Sequence, residues 1–471
     1  MELNIVNIVS LVIILICAAD IKLMSSPKTA LLGNRIGALS MLGAIVFVLI
    51  YNNIITISLL LVSLIIGAFI GVLFTYKTGG VKIPQLVALF NGFGGGASLL
   101  VTFILLLEQG SYIDTFTRFT AFSGAIVGGL TFSGSLIAAG KLEGIINQKP
   151  VTIKAHSIIT SLLLIILLVI MIFGTVIDNY IVTFASGATV LSLLFGVIFA
   201  IRIGGADMPI TISLLNSCSG LAASVCGFAV GNIILISLGA IVGASGLILT
   251  QIMCKAMNRS LWHILTGSTY SKVTDSSMET VVDLNSNDAE KEVHNYIEIV
   301  NKAKKIIIVP GYGMALSQAQ EQVKLLFDYL ITKGKDVRFA IHPVAGRMPG
   351  HMNVLLAEVD IPYEYLYDID TINPEFASTD VVIVVGACDV INPEAITAQG
   401  TPIYGMPILR VHEAKHVIVC NKDTKPGYSG VENSLYNKSN VTLLLGNAAD
   451  TLAELISQLH NDLQSDTVLQ N

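Results

Sequence analysis

Nine runs of mostly apolar residues fill the first 260 positions, at roughly 4–19, 38–55, 56–75, 84–107, 119–140, 156–174, 180–201, 208–230 and 232–253. A helix needs about 20 apolar residues to cross a bilayer. Backbone polar groups find no water there, so each run is read as one spanning helix. Composition agrees. The chain is 53% hydrophobic and 13% charged, against about 25% charged in soluble domains. That excludes an ordinary soluble enzyme, and it excludes disorder, which needs low hydrophobicity. Residues 261–471 hold 15 of the 27 Lys+Arg, so a soluble half is expected to follow the membrane half.

The cations orient the spans. Lys22, Lys28, Arg35, Lys77, Lys82, Lys141, Lys149, Lys154, Arg202, Lys255 and Arg259 fall in loops on one side, and Arg118 alone on the other. The positive-inside rule then puts the N-terminus outside and the C-terminal half in the cytoplasm. Glu2 rather than a cation precedes the first run, so it is read as a retained span despite the small residues Cys17-Ala18-Ala19. The six cysteines form no C-x-x-C pair, and no metal site or redox pair is expected. A net charge of -6 gives no reason to expect nucleic acid.

Polar groups within spans mark functional candidates. Asp207 opens the eighth span, and function or an interfacial partnership with Arg202 are even readings. Asn216 lies near the middle of that span and Asn91 in the fourth. Either joins a hydrated path or makes an interhelical hydrogen bond. Gly92-Phe93-Gly94-Gly95-Gly96-Ala97 imitates a dinucleotide fingerprint, but no strand precedes it, so close helix packing is expected. His156, the one histidine near a span, is expected to be solvated at a basic helix end. Paired axial haem ligands are thereby excluded.

Residues 260–290 read as a linker with an apolar patch at Trp262. The rest is expected to be an α/β doubly wound parallel sheet. Strands are expected at 304–309, 337–341, 381–385, 416–420 and 441–445, with helices at 315–333 and 448–460. The domains are therefore 1–259, 260–290 and 291–471. After the first strand comes Pro310-Gly311-Tyr312-Gly313-Met314-Ala315-Leu316. In the generic dinucleotide fold, Gly311 gives the tight turn and Gly313 lets backbone approach a pyrophosphate. The second strand leads into His342-Pro343-Val344-Ala345-Gly346-Arg347, with no acid for a ribose 2′-hydroxyl and an arginine for a 2′-phosphate. The basic stretch Lys422 to Lys425 points the same way. Asp389, after the third expected strand, stands where a crevice forms. Pro426-Gly427-Tyr428-Ser429-Gly430 has the glycine hinges of a lid.

The residues now quoted resemble the beta subunit of the proton-translocating NAD(P)+ transhydrogenase over nearly the whole chain. The likeness rests on Gly204–Pro209 with Leu215-Asn216-Ser217, on Cys254–Ser260, on Pro310–Ala315, and most strongly on His342–Glu358. It implies that NADP(H) binds here and NAD(H) on a partner alpha subunit. Hydride would pass directly from NADH to NADP+, coupled to inward proton flow. No side chain would act as acid or base. Tyr312, Val344, Ala345, Gly346, Arg347, Met348, Pro349, Gly386, Ala387, Cys388, Asp389, Val390, Gly405 and Met406 would contact NADP(H). So would Asn421, Lys422, Asp423, Thr424, Lys425, Pro426, Gly427, Tyr428, Asn447 and Ala448. The nucleotide would lie reversed across the sheet, which changes the role of the glycine turn Gly311–Ala315. The likeness also implies a dimer of alpha–beta units in a bacterial-type inner membrane, in contact with lipid.

Three positions depart from the family pattern. Asn91 stands where many members have histidine. Asn421-Lys422-Asp423 replaces Lys-Arg-Ser. Asn447 stands where Asp is common. A competing expectation is a channel or transporter gated by a cytoplasmic nucleotide-sensing domain. A potassium filter is absent, since Thr189-Val190 runs into Leu191. Another is a membrane-anchored NADP-dependent reductase acting alone.

Overall fold

The computed structural model describes residues 5–24, 27–51, 58–77, 82–110, 112–147, 150–151, 155–257, 260–261, 264, 296–348 and 350–468. Most of the expected linker, with Trp262, and Pro349 lie outside them. The chain forms two compact units, divided at Ile252 and Met253 apart from residues 264–267.

In the first unit, nine of the described helices are long and apolar enough to cross a membrane. They are α1 (Ile5–Met24), α2 (Pro27–Tyr51), α3 (Ser58–Lys77), α4 (Ile83–Gln109), α5 (Thr115–Glu143), α6 (His156–Val176), α7 (Ile181–Ile201), α8 (Met208–Val230) and α9 (Ile233–Ala256). Helix α5 sits at the centre, packed by α4, α6, α7 and α8. Its small residues explain this. A Cβ on Gly128 would come within 2.8 Å of the Leu99 amide, and one on Gly95 within 2.8 Å of the Thr131 side chain. In lipid, such close backbone approach replaces the hydrophobic drive for helix association. The glycine run of α4 therefore packs helices, as expected. Asp114 starts α5 by accepting hydrogen bonds from the Phe116 and Thr117 amides.

Several boundaries differ from the sequence reading. The expected loop between the first two spans is largely helical, so Lys22 ends α1 and Arg35 lies inside α2. Arg118 is likewise inside α5, buried, with its guanidinium 2.6 Å from Asp178 and 3.1 Å from the Thr175 carbonyl. Lys141 donates to the carbonyls of Ile201 (2.5 Å) and Ile203 (2.7 Å), capping α7. Charge at a helix end can bury when it meets unpaired carbonyls, and hydropathy reading does not register that. His156 is not solvated. It is 5% exposed, at the start of α6 and near Arg202.

The second unit is a six-stranded all-parallel sheet in the order β3-β2-β1-β4-β5-β6. The strands are β1 (Lys305–Pro310), β2 (Asp336–Ile341), β3 (Leu366–Asp368), β4 (Val381–Val385), β5 (His416–Asn421) and β6 (Val441–Leu445). Helices α10 (296–302), α11 (Tyr312–Leu316), α12 (Gln320–Thr332), α13 (His351–Glu358) and α14 (Ala448–Val468) accompany it. Covered on both faces, β4 is buried at every residue, which explains its unbroken Val-Ile run. One face packs Ile307, Val309, Val382, Val384, Val417 and Val419 against Phe376, Leu409 and Leu435. Strand β3 was not expected. It has three residues on an edge, too few to show a period. The helix expected over 315–333 is two helices, broken at Gln318, whose φ is +53°.

Candidate dinucleotide site

Chain order reverses between β1 and β4, the switch point where parallel α/β sheets open a crevice beyond their carboxyl ends. Gly311, Gly313 and Gly386 meet there backbone to backbone. The Gly311 amide donates to the Val385 carbonyl and the Gly313 amide to the Gly386 carbonyl, each at 2.8 Å, and Gly386 donates to the Cys420 carbonyl at 3.0 Å. A Cβ on Gly311 or Gly386 would collide with the other's strand end, and Gly386 has φ +69°. The close approach is made by the neighbouring strand's loop, and both amides are already engaged. Met314 and Ala315 are buried behind this turn.

Above it lies an aromatic and basic cluster. The Arg347 guanidinium stands 4.7 Å from the Tyr312 ring centre. The Tyr428 and His351 rings lie 6.2 Å and 6.4 Å from Tyr312. Burial pushes the Tyr312 hydroxyl up to about 12, so it remains a hydrogen-bond donor at neutral pH. His351 Nδ1 accepts from the Arg347 amide at 3.1 Å. Burial, then the charge of Arg347, pushes His351 down to about 4. Its Nε2 is buried without a hydrogen-bond partner among the described residues. Gly346, at φ +108°, leaves room for that ring, since a Cβ would come within 2.5 Å of His351 Nδ1. Val344 donates to His342 Nδ1 at 3.3 Å. That leaves the proton on Nε2, which bonds the Pro407 carbonyl at 2.8 Å. Burial pushes His342 down to about 4 as well. Ala345 and Met348 are buried.

Asp389 faces the expected lid. Its carboxylate accepts from the Ser429 amide (3.0 Å) and hydroxyl (2.6 Å). A Cβ on Gly427 would come within 2.7 Å of it. Burial pushes Asp389 up, and the bonds from Ser429 and Tyr428 pull against that. Asn433 donates to the Cys388 carbonyl at 3.1 Å and Asn392 to the Glu432 carbonyl at 3.0 Å, lacing the same two loops. Asn433 and Tyr436 were not singled out by the sequence, and Ser429 was noted only as part of the expected lid. Their role appears only where two distant loops meet.

Asn421 is buried, and its Nδ2 donates to the Ala387 carbonyl (2.8 Å) and the Tyr436 hydroxyl (2.9 Å). Lys422, Asp423, Thr424, Lys425 and Pro426 are exposed, and Asp423 accepts from the Lys425 amide at 3.1 Å. The Val390 carbonyl takes the Leu409 amide at 2.9 Å. Gly405 turns at φ +74°, and Met406 packs with Ala395, Ile403 and Ile408. Asn447 accepts from the Ala449 amide at 3.0 Å, so it caps the helix in which Ala448 is buried.

In the membrane unit, Asn91 Nδ2 reaches the Ile212 carbonyl of α8 at 3.5 Å, one turn before half-buried Asn216. Asp207 ends the short turn Gly205–Asp207 that leads into α8, about 13 Å along the axis from Asn216 at 1.5 Å per residue. The adjoining face of α8, one residue on from Ile212 and Asn216, is bonded to α9. Ser213 meets Thr250 at 3.0 Å, and Ser217 donates to the Gly243 carbonyl at 2.6 Å.

Comparison with known proteins agrees with this architecture. The family model described as NAD(P) transhydrogenase beta subunit matches residues 6–458. Two relatives, both named NAD(P) transhydrogenase subunit beta and both from Rhodospirillum rubrum, are 39% identical over 444 residues, covering 93% of this chain and 95% of theirs. The chain therefore belongs to the NAD(P) transhydrogenase beta subunit family.

Proposed function

We propose that residues 291–471 bind NADP(H), that residues 1–259 conduct protons, and that residues 260–290 link the two. NADH on an alpha subunit is the hydride donor, and inward proton flow drives transfer to NADP+. The observation that carries this reading is the cluster of Arg347, Tyr312, His351 and Tyr428 at the switch point, one guanidinium among mutually tilted rings. The cleft suits a phosphorylated dinucleotide, because it offers a cation, ring faces and one buried imidazole nitrogen not otherwise bonded. When bound, the nicotinamide supplies the hydride chemistry itself.

The protein's own residues do the rest. Arg347 meets phosphate charge, and Lys422 and Lys425 stand on the exposed loop where the 2′-phosphate is held. Tyr312 and Tyr428 cover the ligand and exclude water. Asp389 holds the covering segment through Ser429. Asn91 and Asn216 cannot titrate, so they orient water along α8 towards Asp207. On this reading the chain works as an alpha–beta pair, dimerised, in a bacterial-type inner membrane with the N-terminus outside.

Sealed vesicles holding this chain with its alpha subunit test the reading. NADH-dependent reduction of NADP+ should consume an imposed pH gradient. Asn216→Leu should abolish that link while the chain still folds. Turnover that ignores the gradient in the unmodified protein would sink the coupling.

A further inference from the structure

Lys141 is 1% exposed, and the proton path described above makes no use of it. Its Nζ donates to the carbonyls of Ile201 and Ile203, on either side of Arg202 in the turn that leads to Asp207 and α8. An ammonium has three N–H donors, whereas a neutral amine has two donors and a lone pair. Two carbonyls therefore hold either form, and the third N–H of the ammonium meets no acceptor among the described residues. The charged groups on the surrounding elements are engaged elsewhere or stand apart. Glu143, on α5 itself, pairs with Lys82 before α4 at 2.6 Å. His156 opens α6, Arg202 follows α7 and Asp207 precedes α8, and none of them bonds Lys141 among the described residues. On one side the site adjoins the surface, because the Ile201 carbonyl also accepts from the amide of exposed Val151 at 3.2 Å. On the other it adjoins the polar groups of α4 and α8. Met208 and Ile212 pack on Ala138 and Leu142. Gln85, six residues before Asn91 and about 9 Å along the axis of α4, donates to the Leu142 carbonyl at 3.4 Å. Its Oε1 is buried without a partner among the described residues, an acceptor open to a water.

We propose that Lys141 is a proton-carrying group at this end of the membrane unit, an inference that rests on the reading of residues 1–259 as a proton conductor. In release, one N–H bond of the ammonium breaks, its electron pair stays on Nζ as a lone pair, and the proton passes to water beyond Val151. In uptake, that lone pair bonds a proton delivered by water from the side of Gln85. Both carbonyl bonds persist throughout, so the turn before α8 stays held while the charge changes. Arg202 cannot take this part, since a guanidinium stays protonated. Asn91, Gln85 and Asn216 cannot either, because an amide only orients water.

Two variants of the full-length protein, in sealed vesicles with its alpha subunit, separate a proton carrier from a helix cap. Lys141→Gln offers two donors and no lone pair that takes a proton at neutral pH, and Lys141→Arg offers donors with a permanent charge. Both should bind NADP+ as the unmodified protein does. Both should lose gradient-driven reduction of NADP+ by about 100-fold or more, the range for losing a proton-transfer group. A driven rate restored by either one would mean a cap alone and would overturn the proposal. Solid-state NMR of the unmodified protein with 15N-labelled lysine side chains gives an answer without turnover. The resonance missing from a Lys141 variant should pass between ammonium and amine forms across the neutral range, and an ammonium throughout would equally overturn it. Turnover of the unmodified protein that ignores the gradient is instead the failure of the underlying reading, and the resonance still decides whether Lys141 exchanges its proton.

Discussion

Arg347 lies over the face of Tyr312, its guanidinium carbon 4.7 Å from the ring centre. The two come from different loops, one after β2 and one after β1, so this contact joins the strand ends that flank the cleft. A cation over an aromatic face is worth about 0.5–2 kcal/mol.

Arg347→Ala should therefore weaken NADP(H) binding by about 5- to 30-fold, the equivalent of 1–2 kcal/mol. Arg347→Lys should recover little, because an ammonium neither stacks nor forks. Titration of the full chain with NADP+ checks this, and an unchanged dissociation constant in both variants would count against Arg347 as a ligand.

The Asp389–Ser429 pair predicts where the cover segment loosens. Ser429→Ala removes the 2.6 Å hydroxyl bond, at about 1 kcal/mol. Asp389→Ala also strips the amide of its acceptor. Hydrogen exchange over residues 426–431 should speed up modestly in the first variant and strongly in the second. Equal exchange in all three proteins would mean that something else holds the loop.

Acid should destabilise the nucleotide unit through its two buried imidazoles. His342 and His351 are both pushed down to about 4 by burial, against about 6.5 in an unfolded chain. Between those values the unfolded chain holds more protons, so stability is full above about pH 6.5 and is lost as pH falls toward 4. Asp389, pushed up by burial, has the opposite sign. Asp389→Asn should therefore steepen the loss. Thermal midpoints measured from pH 7 to pH 4 give the answer; a flat profile would contradict neutral histidines.

Gly386→Ala should cost far more than Gly334→Ala. Both glycines have positive φ, +69° and +72°. A Cβ at 386 runs into the Met314 amide, while one at 334 meets nothing within 4 Å. The second pays only left-handed strain, about 1–2 kcal/mol. The first must also part β1 from β4. Comparable melting temperatures for the two variants would show that the strand ends are not interlocked.

Legibility in the sequence tracked the length of the signal. Nine apolar runs and five strands were readable because each repeats its pattern over many residues. Leu366–Asp368 was not, having too few residues for alternation. The break at Gln318 carries no glycine or proline to mark it. Burial of Arg118 and Lys141 was hidden because their partners, Asp178 and Ile201, lie sixty residues on. In the cleft, the arginine after the second strand drew attention to Arg347 by residue type, whereas Tyr312 was named only through the family likeness. The sequence could not say that Asn421 turns inward to Ala387, or that Gly311 and Gly313 spend their amides on the adjacent strand.

The hydroxyl bonds between α8 and α9 have a mechanical meaning. Ser213, Ser217 and Ser224 fasten one helix to the other along most of their length, so the pair tilts as one stiff plank. A displacement at Asn216 on α8 is therefore shared with α9 as far as Thr250, the last of the bonded positions on that helix.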